Sequence, residues 1–424
     1  MKRPAAQSAA GDFAPVNQRT PRVVFVNRFY APDESATSQM LTDLAEALVR
    51  SGIEVEVLCS RQLYGNAAAD LPTTEVLRGV SVQRLATTRF GRDSLAGRAI
   101  DYVTFYLRAA IRLLAHVRRG DVLVVKTDPP LLSLLGWLVA QCKGASLVNW
   151  LQDLYPEVAS RLALSPVPRP VEALIRVARD HSLATARINV VLGTRMREYL
   201  MARGIAGARI SICENWADES RLRPLPASRS ALRASLGLEG CFVAAYSGNL
   251  GRAHDATTIL EAACALASDP GIVFLMVGGG AGMRSLQMQA RARGLTNFRF
   301  APYQPRAALC DSLAAGDVHL VSLRPELEGL IVPSKLYGIL AAGRPVVFVG
   351  DLDGELARLI ATTRVGVSVR SGDSPGLARA LQALRDDKAE RTRMGMRARE
   401  VFEERYTLAA AVARWREVLG VVAA

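Results

Sequence analysis

Cys241-Phe-Val-Ala-Ala-Tyr-Ser-Gly-Asn-Leu-Gly-Arg252 runs from an apolar strand pattern into a glycine-rich turn, and a helix-length stretch follows. Strand, loop and helix in that order form the building unit of a doubly wound parallel sheet, whose loops at the carboxyl ends of the strands carry the chemistry. Toward the C-terminus the unit recurs, with residues 272–277, 297–301, 318–323 and 345–349 reading as further strands. Toward the N-terminus, residues 214–230 break the rhythm with Pro224, Pro226 and mixed charges, as a linker does. Ahead of them the alternation returns. Strands are expected at 22–27, 55–59, 121–126 and 146–151, with helices at 95–116 and 131–142 and another on which Met40, Leu41, Leu44 and Leu48 repeat at helical spacing. The expected fold class is therefore α/β, with two Rossmann-like doubly wound domains (residues 21–213 and 231–404) facing a central cleft, preceded by a disordered tail over residues 1–20.

A chain of 424 residues suits two domains. Half of it is hydrophobic and 22% is charged, the balance of a globular chain and not of a disordered one. Its cysteines (Cys59, Cys142, Cys213, Cys241, Cys264, Cys310) include no C-x-x-C pair, so they read as reduced, mostly buried thiols of a cytoplasmic protein, with no zinc site. The early basic residues have no apolar stretch behind them, which excludes a secretory signal. Residues 131–140, the most hydrophobic run, make up about half the ~20 residues of a membrane span. With 53 basic against 40 acidic residues the net charge is +13, which calls for a polyanionic neighbour. No finger, RNP-type motif or lysine-rich arm accompanies that charge, so nucleic acid is set aside in favour of phosphorylated small molecules or an anionic membrane face.

Four loops carry residue types suited to chemistry. In Ser247-Gly-Asn-Leu-Gly-Arg252-Ala-His254 the glycines let backbone N–H groups approach an anion and Arg252 adds charge-assisted hydrogen bonds; the plainer reading is a turn with an exposed arginine. Val277-Gly-Gly-Gly-Ala-Gly282 looks like a dinucleotide fingerprint, but Phe298-Arg-Phe-Ala-Pro-Tyr303 offers no acidic residue for a ribose. That disfavours a nicotinamide enzyme and leaves a phosphate or nucleoside as the neighbour. Glu326-Leu-Glu328-Gly-Leu-Ile-Val-Pro333-Ser334-Lys335 enters a helix whose positive end and Lys335 suit a phosphate, while the carboxylates upstream suit sugar hydroxyls; the plainer reading is a capped helix with a solvated lysine. In Asn149-Trp-Leu-Gln152-Asp153-Leu-Tyr-Pro156, Asp153 either orients or deprotonates an acceptor hydroxyl or caps the turn before Pro156. Asp351-Leu-Asp353 has the spacing of a metal-binding pair. Its place between a strand and the helical pattern of Leu356, Leu359 and Ile360 favours helix capping.

At these loops the chain resembles the retaining family-4 glycosyltransferases of the GT-B fold, particularly the branch that builds bacterial exopolysaccharides such as colanic acid. The likeness is carried by Phe29-Tyr-Ala-Pro32, Gln152-Asp-Leu-Tyr-Pro-Glu157, Asn215-Trp216, Tyr246-Ser-Gly-Asn-Leu-Gly-Arg252 and Val332-Pro-Ser-Lys-Leu-Tyr-Gly-Ile-Leu-Ala-Ala-Gly-Arg-Pro345. The resemblance implies a nucleotide-sugar donor bound by the second domain and a saccharide or polyprenyl-diphosphate-linked acceptor bound by the first, with no cofactor and no metal. It assigns Gly248, Arg252, Ser334 and Lys335 to the donor phosphates, with Asn249 among the donor contacts, Gly278 and Tyr303 to the nucleoside, and Glu328 to the sugar hydroxyls. Arg252, Lys335 and the helix end would stabilise the departing diphosphate, and Asp153 would position the acceptor. It further implies that the last helix, within residues 405–424, packs back on the first domain. Two departures stand out. The family's acidic pair, eight residues apart, falls on Leu330 and Gly338, leaving Glu328 off register, and Glu34-Ser35 replaces a usual Gly-Gly.

On the expected helix 95–116 and just beyond, Arg98, Arg108, Arg112 and Arg119 form a basic stripe and Ile100, Val103, Leu107, Ile111 and Leu114 an apolar one. Either the helix attaches the protein to an anionic cytoplasmic leaflet, or its apolar side lies on the sheet. Two rival activities share the architecture: a sugar-nucleotide epimerase, which works without an acceptor, and a catalytically inactive scaffold or binding protein.

Overall fold

The computed structural model describes residues 22–420 apart from 67, 92–94 and 166, so the tail expected over residues 1–20 lies outside the described residues. Apolar runs without alternation, such as Val23-Val-Phe-Val26, form strands buried on both faces, as a parallel sheet covered by helices requires. The first sheet comprises β1 (Val23–Val26), β2 (Val55–Ser60), β3 (Thr74–Leu77), β4 (Val80–Leu85), β5 (Val122–Val125), β6 (Ser146–Trp150), β7 (Ile188–Val191) and β8 (Ile210–Ile212), in the order β3-β4-β2-β1-β5-β6-β7-β8. All neighbours are parallel except the antiparallel edge pair β3 and β4. Its helices are α1 (Ala36–Arg50), α2 (Leu95–His116), α3 (Leu132–Lys143), α4 (Glu157–Arg161), α5 (Arg169–Thr185) and α6 (Thr194–Ala202).

The second sheet is wholly parallel, with β9 (Phe242–Asn249), β10 (Ile272–Gly279), β11 (Phe298–Ala301), β12 (Val318–Ser322), β13 (Val346–Gly350) and β14 (Gly366–Arg370) in the order β11-β10-β9-β12-β13-β14. It is flanked by α7 (Ala231–Ser235), α8 (Ala256–Ala265), α9 (Ala281–Ala292), α10 (Leu309–Ala314), α11 (Lys335–Ala341), α12 (Glu355–Thr363), α13 (Ser374–Asp386) and α14 (Lys388–Arg405). The two parallel-sheet α/β layers are those of the GT-B architecture. Helix α15 (Leu408–Leu419) returns to the first half. There Trp415 lies edge-on to Trp150 with ring centroids 4.7 Å apart and 6.4 Å from Phe25, while Trp150 stacks on Trp216 at 5.8 Å.

One expectation changes, and one open alternative is decided. Only Cys59 and Cys213 are buried; the other four cysteines sit at least partly in solvent, all six being free thiols. On α2 it is Phe105, Ala109 and Leu113, with Val117 just beyond its end, that pack inward against β1, β5 and α3. The apolar stripe therefore faces outward, Leu107 being 61% and Ile111 68% exposed, and α5 adds the exposed Val171, Leu174 and Val177. No helix among the described residues is long and apolar enough to cross a membrane.

Candidate active site

The two halves close on each other along a narrow seam. The loop after β6 meets the segment leading into α11, with Leu154 N donating to Leu330 O (3.0 Å) and Asp153 bridged to Ile331. Across the seam Glu355 accepts a hydrogen bond from Arg195 N at the start of α6 (2.8 Å), and Arg306 grips both carboxylate oxygens of Asp43 (2.7 and 2.8 Å). The seam thus sets the carboxyl end of β6 opposite the approach to Lys335.

At the carboxyl ends of β9 and β10 the glycine loops pack backbone to backbone. Gly248 and Gly278 are register partners with φ of 121° and 125°, and a Cβ on Gly278 would lie 2.3 Å from the Gly248 carbonyl oxygen. Close approach of the two strands is therefore enough to require glycine at 278. Gly248 is roomier: a Cβ there would touch Lys335 Cε at 3.7 Å, so the lysine lies across this loop. Lys335 Nζ donates to the Tyr246 hydroxyl and sits 4.1 Å from the centre of its ring, and Tyr246 donates in turn to Asn249 O (3.1 Å). Gly248, Asn249 and Lys335 are thus brought together around Tyr246. Burial pulls the Lys335 ammonium down to about 7 and pushes the Tyr246 hydroxyl well above its usual range.

Arg252 is exposed and lines a cavity of about 290 Å³ with His254, Gly282, Ser285, Gln289 and Arg324, between the amino ends of α8 and α9. Lys335 does not line that cavity. His254 is held by Ser322 O (2.6 Å), which fixes the proton on Nδ1. Burial, then the nearby Lys335, drives its pKa down to about 3, so the ring is neutral. The ring of Tyr303, 59% exposed, stands over Gly279, where a Cβ would come within 3.0 Å of it. Ser334 occupies the cap position of α11 without a side-chain cap bond. With seven residues α11 makes about two turns, so Lys335 is the principal positive charge there.

Glu328 is drawn elsewhere. Its Oε1 accepts from Glu355 N (2.8 Å) and its Oε2 would lie 2.5 Å from a Cβ on Gly354, so the carboxylate covers the start of α12. It also does the capping that the sequence suggested for Asp351 and Asp353. The cap position is Gly354, and Asp351 merely accepts from Asp353 N (3.0 Å). Burial raises the pKa of Glu328 above the usual carboxylate range. Asp153 is pushed up to about 6 by burial and then by Asp128, with Lys126 opposing both. Among the described residues no three His, Cys, Asp or Glu side chains gather as a metal site would need.

Sequence reasoning gave no role to Tyr246, His254 or Lys126. For the first two a signal existed, since Tyr246 ends the apolar run feeding the glycine loop and His254 closes that loop. Lys126 had none, because a lysine at the end of a strand is usually solvated.

Residues 35–216 match the Glycosyl transferase 4-like domain and residues 241–387 the Glycosyl transferases group 1 domain. The chain is 27% identical to the probable glycosyltransferase WbjE of Pseudomonas aeruginosa, over 75% of this chain and 79% of that protein. It is 27% identical to the putative colanic acid biosynthesis glycosyl transferase WcaI of Escherichia coli K12, over 78% and 84% respectively. Among solved structures, Anabaena Alr3699/HepE in complex with UDP and glucose superposes with a TM-score of 0.71 at 16% identity, covering 95% of this chain and all of that one.

Proposed function

We propose, from the premise that this chain belongs to the family-4 glycosyltransferases of the GT-B fold, that it transfers a hexosyl or N-acetylhexosaminyl group, with retention, from a nucleotide-sugar to a saccharide or polyprenyl-diphosphate-linked acceptor during cell-surface polysaccharide assembly. The single observation that carries the donor assignment is Lys335. It is an ammonium laid across Gly248, and among the described residues no carboxylate acts on it, burial being the one influence on its charge. A partly desolvated cation without a counterion favours an anionic ligand, and a diphosphate at this glycine loop supplies one. Arg252 reaches the same loop from the adjoining cavity, and Tyr303 offers a flat exposed face for a base.

In the transfer, Lys335 and Arg252 stabilise the charge that grows on the departing diphosphate. Asp153, across the seam, orients the acceptor hydroxyl, and the leaving group accepts its proton. Glu328 acts on this chemistry by holding α12, with its carboxylate on the Glu355 backbone N–H. No metal ion and no cofactor take part in this scheme.

The test is a thermal-shift panel of nucleoside diphosphates and nucleotide-sugars, beginning with UDP and UDP-glucose because the Anabaena protein holds UDP and glucose. A ligand at 100 times its Kd stabilises the fold by ~2.7 kcal/mol. One nucleotide should raise the Tm of the wild type and not that of Lys335→Ala. A panel with no response would reject the donor site.

We further place the protein in the cytoplasm, docked on the inner face of the membrane through Arg98, Arg108, Arg112 and Arg119 around the outward apolar row of α2. The exposed Leu107 and Ile111 support this, because solvent is a costly place for such a row unless something covers it. Flotation with anionic vesicles should carry the protein upward and neutral vesicles should not; Leu107→Ser with Ile111→Ser should leave it at the bottom of the gradient. No flotation even at low salt would end this proposal.

A further inference from the structure

Lys126 follows β5 at the floor of the cleft and is 1% exposed, an expensive position for an ammonium. Among the described residues its Nζ donates one hydrogen bond, to Thr37 O (2.9 Å), and it lies 3.6 Å from the centre of the Trp150 ring. Neither contact neutralises a charge. Lys126 and Asp153 line the same small cavity of about 20 Å³, between the carboxyl ends of the neighbouring strands β5 and β6. Asn149 lines it too, and its fully buried Oδ1 has no hydrogen-bond partner among the described residues.

We propose that Lys126 is a positioning residue for Asp153, its ammonium holding the carboxylate ionised and turned toward the acceptor side of the seam. This rests on the role given to Asp153 above and deepens it. Among the residues lining the cavity Lys126 is the cation left to act on that carboxylate, across the cavity and without a direct ion pair. Arg179 of α5 also lines the cavity, but it is spent on both oxygens of Glu157 (2.6 and 3.1 Å) and on Tyr155 O (2.8 Å). From the other half Ile331 lies opposite, and Asp128, after β5, adds negative charge. The mutual pull shows in both groups. Burial lowers the Lys126 ammonium well below its usual value while Asp128 and Asp153 resist, and burial raises Asp153 while Lys126 resists.

The experiment is a carboxyl-carbon NMR titration of aspartate-labelled protein, with Asp153→Asn identifying the resonance, in the wild type and in Lys126→Met. Methionine keeps the length and apolar stem without the charge; because removing one partner of a buried charge pair is destabilising, a thermal melt first establishes that Lys126→Met is folded, with Lys126→Gln, which can still donate to Thr37 O, read in its place where it is not. Losing an opposite charge should move the Asp153 midpoint up by about one pH unit or more. The acid limb of kcat/KM should follow it, so that Lys126→Met is about fivefold slower near pH 6 and recovers at higher pH. Lys126→Arg, which keeps the charge, should restore part of the low-pH rate. An unmoved Asp153 midpoint, or a loss of rate equal at every pH, would overturn the proposal. A wild type that transfers no sugar from any donor would sink the proposed function instead, and the titration would still decide the coupling.

Discussion

Replacing Lys335 by alanine lowers kcat by about 10²–10³-fold, the scale of losing one preorganised charge-stabilising group. The lysine lies across Gly248 and is held in place by Tyr246, so its ammonium arrives at the diphosphate already oriented. The folded protein gains little from that ammonium in the absence of ligand, since burial alone disfavours its charged form. Steady-state kinetics should therefore show the loss while the Tm of the unliganded variant stays level or rises. A loss of activity that tracks a loss of Tm would make Lys335 a structural residue and return the phosphate to Arg252.

The fold was legible because parallel strands buried on both faces read as unbroken apolar runs. β1, β5, β10 and β13 each carry one, and β9 opens with one. What escaped were elements without that signature. β3 is an edge strand with exposed and half-exposed residues, and β14 has a single buried residue among its five. Residues 157–212, where α4, α5, β7, α6 and β8 lie, offered short runs broken by charges. Helix α2 was legible in extent and less so in orientation. Periodicity locates a stripe of apolar residues, but it does not say which of two stripes meets the sheet when Phe105, Ala109 and Leu113 form a second one.

The site shows the same limit. The glycine loops and Lys335 could be placed because loops at the carboxyl ends of strands converge in such sheets. The meaning of a single residue within them could not be placed so well. Gly278 is required by the Gly248 carbonyl whether or not a ligand comes near, and Glu328 is spent on the backbone of α12. Both facts depend on contacts between segments that are distant in sequence, the link that motif reading lacks. The neutral state of His254 and the burial of Lys126 belong to that class too.

Affinity for the intact nucleotide-sugar falls as pH rises through about 7, by about tenfold per pH unit, so that at pH 9 binding is about a hundredfold weaker than at pH 6. The sign follows from the lysine. In the free protein burial leaves it half protonated near 7, far below 10.5, and a bound diphosphate favours the charged form and raises that value again. Binding therefore takes up a proton wherever the free lysine is neutral, and this uptake is what weakens binding at higher pH. The intact donor is the right probe because its diphosphate esters do not titrate in this range. The groups around Lys335 stay constant too, His254 being neutral above about 3 and Tyr246 protonated well past 10. Calorimetry in buffers of different ionisation enthalpy should report the proton directly. Lys335→Arg, charged throughout, should bind with little pH dependence, and Lys335→Met weakly at every pH. A wild type whose affinity is flat from pH 6 to 9 would mean that the ammonium never meets the diphosphate, and the donor would then have to be sought in the cavity beside Arg252.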